Sequence, residues 1–84
     1  MRVSTETAKD YMRVLKFFKE WLVELAHSPV TLEEKDRLAA VYADHVYKSG
    51  LPAYRVTKLK AAMEWKNPET TGRWPRLRAA AAGF

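Results

Sequence analysis

The chain contains no cysteine among its 84 residues. Disulfides and thiolate metal sites are therefore excluded, and stability must come from packing alone, as suits a reducing compartment. It has only two histidines, His27 and His45. His45 is flanked by Asp44, which points about 100° away around a helix, so no metal set and no cofactor are expected. The three glycines, at positions 50, 72 and 83, are too scattered to cradle a phosphate. Ser4, Ser28 and Ser49 sit where caps and turns want hydroxyls, not in the strained turn that presents a nucleophile. The chain is expected to be non-catalytic and to take no small-molecule substrate. No apolar run approaches the ~20 residues that span a bilayer. The first ten residues carry Glu6 and Asp10 and lack the apolar stretch of a signal peptide. An intracellular protein, in cytoplasm, nucleoid or nucleus, neither secreted nor in a membrane, is the expectation.

What is present suffices for one core. Hydrophobic residues make up 48% and aromatics 12% of the chain, too much for disorder and enough for a single domain over residues 1–84. Tyr11, Leu15, Phe18, Leu22 and Leu25 recur at alternating spacings of four and three, with Val14 and Trp21 widening the stripe. This predicts one helix from about Thr5 to His27, capped by Ser4 or Thr5 and ended by Ser28-Pro29. Thr31-Leu32-Glu33-Glu34 reads as a capping box, with Glu34 reaching back to the Thr31 N–H. The helix it starts runs to about Lys48, with Leu38, Val41, Tyr42, Val46 and His45 on its apolar side and Gly50 closing it. A third helix over 52–66 starts at Pro52 and buries Val56, Leu59, Ala62 and Met63. NPETTGR, at 67–73, is a loop, and a last helix over 75–82 starts at Pro75, packs Leu77 with Ala80 or Ala81, and stops at Gly83. The expected fold is an all-α bundle of three to four helices.

Charge is distributed unevenly. Residues 1–50 carry eight basic and eight acidic side chains, whereas residues 51–84 carry seven basic ones against Glu64 and Glu69, which accounts for the whole net charge of +5. The outer face of the first helix, with Lys9, Arg13, Lys16, Glu20 and Glu24, reads as an ordinary solvated face. A one-sided basic surface attracts polyanions, and nucleic acid is the commonest. With Val56, Leu59 and Met63 inward, Tyr54, Lys58, Ala61 and Trp65 line the opposite side of the third helix, with Arg55 and Lys66 on a flank. Aromatics alternating with cations suit phosphates and bases. Arg55, Lys58, Lys66, Arg73, Arg76 and Arg78 are the expected phosphate-neutralising cations. The alternative is a structural subunit of a larger complex, docking through aromatic anchors such as Trp74 and Phe84.

Three segments carry a resemblance: KDYMRVLKFFKEWL, the threonine-capped second helix followed by YKSGLPAYRVTKLKAAM, and the tail RWPRLRAAAAGF. In this order they resemble the core-binding, SAM-like N-terminal domain of tyrosine recombinases, the phage integrases and their relatives, over about residues 8–84. The resemblance implies a small helical module that clamps one side of a DNA duplex, with recombination chemistry held in a separate domain. It places Tyr54, Arg55, Thr57 and Lys58 at the DNA-facing start of the third helix and makes Arg73, Arg76 and Arg78 further phosphate contacts. Pro52-Ala53-Tyr54 stands where that family usually has small polar residues.

Overall fold

The computed structural model describes residues 3–83 and bears out the all-α expectation: among them there is no strand. The helices are α1 (Thr5–Glu24), α2 (Leu32–Lys48), α3 (Tyr54–Thr57), α4 (Leu59–Lys66) and α5 (Pro75–Ala82), with one 3-10 turn at Pro68–Thr70. The radius of gyration, 12.0 Å, matches the ~12 Å of a well-packed chain of this length. The principal packing contacts are α2 against α5 and α1 against α4.

The helix starts follow the local sequence. The Ser4 hydroxyl accepts the Thr7 N–H at 3.2 Å, and the Thr31 hydroxyl accepts the Glu34 N–H at 3.1 Å. The second arm of the expected capping box lands one residue earlier. The Glu34 carboxylate accepts the N–H of Val30, at 3.4 Å, in place of that of Thr31.

The helix ends hold the departures. The first helix stops at Glu24, not His27. Ala26 takes a left-handed φ of 56°, so its N–H reaches the Val23 carbonyl and the His27 N–H reaches the Leu22 carbonyl, both at 3.0 Å. That turn closes the helix before Pro29 acts, and it leaves Leu25, expected inside, 47% exposed. Gly50 closes α2 in the same way: at φ 68° it lets the Leu51 N–H return to the Val46 carbonyl at 3.1 Å, a conformation that costs glycine nothing. The expected third helix over 52–66 is two pieces. Pro52 and Ala53 precede it, and it bends at Lys58, between Val56 and Leu59, which are both fully buried.

One core joins all five helices. Phe18 and Leu22 from α1, Leu38, Ala39, Tyr42 and Val46 from α2, Val56, Leu59 and Met63 from α3 and α4, and Trp74 and Leu77 near α5 form a continuous buried cluster. Phe18, Trp21, Tyr42 and His45 make its aromatic edge, with successive ring centroids 5.1 to 6.4 Å apart. His45 itself is exposed, as is Val41, so the inward side of α2 is narrower than its sequence implied.

The C-terminal segment is tied down by two carboxylates. Asp36 of α2, 4% exposed, accepts the Arg76 N–H at 3.2 Å and the Leu77 N–H at 3.0 Å. Glu64 of α4 accepts the Gly72 N–H at 2.8 Å and the Lys60 ammonium at 3.0 Å. Gly72, at φ 78°, turns the chain so that its N–H points back to that carboxylate, a conformation side chains resist.

Candidate nucleic-acid interface

The eight candidate residues fall into two groups set by the helices that carry them. Tyr54 and Thr57 of α3 and Lys58 at its end are exposed, as expected of residues turned away from buried Val56. Lys58 reaches across to α1, where its ammonium lies 3.4 Å from the Asp10 carboxylate; the Arg13 guanidinium approaches the same group at 4.0 Å. Exposed pairs of this kind contribute about 0–1 kcal/mol. They leave both cations available to a stronger anion, and they fix α3 beside the first half of α1.

Arg55 is placed differently. Its guanidinium lies 3.9 Å from the centre of the Phe17 ring, a cation–π contact worth roughly 0.5–2 kcal/mol. Its Nε is buried without a hydrogen-bond partner, as is the Tyr42 hydroxyl. Burial pushes the Tyr42 pKa above its ordinary 10.0; the positive charge of Arg55 and the approach of its guanidinium to the hydroxyl, short of hydrogen-bond geometry, oppose that shift without cancelling it. Phe17, Glu20, Trp21, His45 and Arg55 line a shallow cleft of about 180 Å³ over this spot. Arg55 thus fastens α3 to α1, and any phosphate contact it makes costs it that stacking.

Trp65, placed on the outer side by its spacing, is half-buried against Tyr11 of α1, with ring centroids 5.7 Å apart. Tyr54 is the aromatic left exposed on this part of the molecule. Lys66 is exposed at the end of α4.

The second group flanks the start of α5. Arg73, Arg76 and Arg78 are exposed, and none lies within ion-pair distance of a described carboxylate. Arg73 and Arg76 share a cleft of about 1170 Å³ with Arg37, Glu33, Glu34 and Asp36 at the start of α2. Arg78 lies on the other flank of α5, beside Lys60 and Trp74 in a cleft of about 390 Å³. Burial alone would raise the Glu64 pKa, but the Gly72 N–H and the Lys60 ammonium outweigh it and hold the carboxyl below its ordinary value.

Three participants escape a reading of the sequence alone: Asp10, Asp36 and Arg37. Asp10 and Asp36 act on partners 48 and 40–41 residues away, and Arg37 meets Arg73 and Arg76 only because α2 and α5 pack together. No local pattern marks such residues. Trp74 is 2% exposed, with its indole N–H donating to the Thr70 hydroxyl at 3.2 Å, so it is a core residue and no docking anchor. Phe84 lies outside the described residues. Among the described residues no three His, Cys, Asp or Glu side chains converge on a metal geometry, and no helix is long and apolar enough to cross a membrane.

No protein-family model, no curated protein and no solved structure matches the chain.

Proposed function

We propose that the chain is a non-catalytic DNA-binding module that holds duplex DNA through its basic surface, as the resemblance to the recombinase core-binding domain implies. One observation carries the reading: the cationic excess of the C-terminal half stays at the surface. Lys58, Lys66, Arg73, Arg76 and Arg78 are all exposed, and only Lys58 has a carboxylate partner among the described residues. Of the two acids in that half, Glu64 is already committed to Lys60 and Gly72. The cations of such a surface can replace the counterions condensed on DNA, and the release of those ions favours binding. Tyr54, exposed beside these cations, offers a face to sugar or base.

The test is fluorescence anisotropy of a labelled duplex of arbitrary sequence at two salt concentrations. Binding that weakens steeply with salt supports the reading; absence of binding at low salt removes it. A protein-interaction role is the competing reading, favoured by Val23 and Val30, which are 70% and 90% exposed around the α1–α2 connection.

A further inference from the structure

We infer that the DNA-facing surface is centred on α1 and α3, and that Lys9, Arg13 and Lys16, outside the basic C-terminal half, are phosphate contacts. The inference rests on the DNA-binding reading and says where on the molecule the duplex lies.

The docking of α3 on α1 carries it. Asp10 holds Lys58 at 3.4 Å and Arg13 at 4.0 Å, so the exposed end of α3 and the outer side of α1 form one continuous surface. Arg55 over Phe17 continues the same seam one turn on. Residues four and three apart share a helix face, so Lys9 and Lys16 stand in line with Arg13, and all three are exposed. From Lys9 to Lys16 is roughly 10 Å along the helix axis, the span of about three successive phosphates of one strand.

Charge and exposure together distinguish this surface from the arginine cleft at α5. On the α1–α3 surface five cations (Lys9, Arg13, Lys16, Arg55, Lys58) face four carboxylates (Glu6, Asp10, Glu20, Glu24), and Glu6 sits in the first turn of α1, where the helix N-terminus offsets it. In the α5 cleft three guanidiniums face three carboxylates, Glu33, Glu34 and Asp36. The two positive helix ends meeting there add only about one elementary charge between them. What sets the α1–α3 side apart is the in-line row of exposed Lys9, Arg13 and Lys16 beside exposed Lys58 and Tyr54.

The experiment is the salt dependence of binding to the same labelled duplex for four versions of the whole chain. These are the unaltered protein, Lys9→Gln/Arg13→Gln/Lys16→Gln, Arg73→Gln/Arg76→Gln, and Glu20→Gln, each checked for helicity. The inference expects the triple variant to reduce the slope of log K against log salt by roughly 2–3, the double variant to reduce it by less, and Glu20→Gln to tighten binding severalfold. An unaltered protein that binds, with a triple variant that binds as well, overturns the inference and leaves the DNA-binding reading standing. No binding by the unaltered protein overturns both. If the triple variant does not fold, Glu20→Gln decides: tighter binding supports the inference, and unchanged binding overturns it.

Discussion

The buried carboxylate of Asp36 accepts the backbone N–H of Leu77 at 3.0 Å, across 41 residues of chain, and takes the Arg76 N–H with its other oxygen. It performs for α5 the task that a serine or aspartate at the helix start performs elsewhere. The residue at that position is Trp74, whose side chain is in the core and makes no cap. Asp36→Ala leaves two N–H groups of the first turn unpaired. A loss of about 1–3 kcal/mol is expected in urea unfolding, with amide exchange in 75–82 accelerating before that of α1 or α2. Equal exchange rates in the variant and the original would contradict the cap.

Glu64 gives the chain an acid limb. Its folded-state pKa is lowered from 4.5 by the Gly72 N–H and the Lys60 ammonium, despite burial. The stability it contributes is therefore present above about pH 4.5 and lost as pH falls through the lowered value. Glu64→Gln should be less stable by roughly 1 kcal/mol at pH 7 and should show a flatter melting temperature between pH 5 and 3, measured by circular dichroism.

Ala26 holds a left-handed φ of 56°, which costs a side-chain-bearing residue about 1–2 kcal/mol. Glycine removes that strain and adds about 0.5–1 kcal/mol of unfolded-chain entropy. Ala26→Gly should therefore stabilise the protein, raising its melting temperature by about 2–8 °C. A lower melting temperature would show that α1 does not end in this turn.

Tyr42 carries a hydroxyl with no hydrogen-bond partner inside the core. Replacing an unpaired buried hydroxyl with hydrogen is nearly neutral or stabilising, so Tyr42→Phe should unfold within about 0.5 kcal/mol of the original or above it. The raised pKa makes a second point. Stability tied to this group is complete below pH 10 and declines as pH rises towards the folded value. Tyr42→Phe should lose less stability than the original between pH 10 and 11, when both are followed by urea unfolding.

The starts of α1, α2 and α5 and the close of α2 were legible because each is announced locally: Ser4 and Thr31 by hydroxyls that reach a nearby N–H, α5 by Pro75, and Gly50 by its tolerance of positive φ. The break at Lys58 that divides the expected third helix into α3 and α4, neither with a side-chain cap, was not. The end of α1 was not legible. Alanine is a strong helix former, and nothing in its side chain marks Ala26 as the residue that turns left-handed. Leu25 belonged to the apolar stripe by spacing, yet it falls past the last helical turn. The charge asymmetry of the candidate surface could be counted from the sequence. Its geometry could not, because the contacts of Lys58 with Asp10 and of Arg55 with Phe17 come from the packing of α3 on α1. That packing converts a mixed-charge face of α1, unremarkable as a sequence, into part of a larger surface.

The most direct test of the account is an amide chemical-shift titration of the isotopically labelled chain with a short duplex at low salt. The expected result is a set of shifts concentrated in residues 9–16 and 54–58 and reversed by added salt. The contradicting result is an unchanged spectrum at low salt, or shifts confined to residues 23–30, where exposed Val23 and Val30 would instead mark a contact surface for protein.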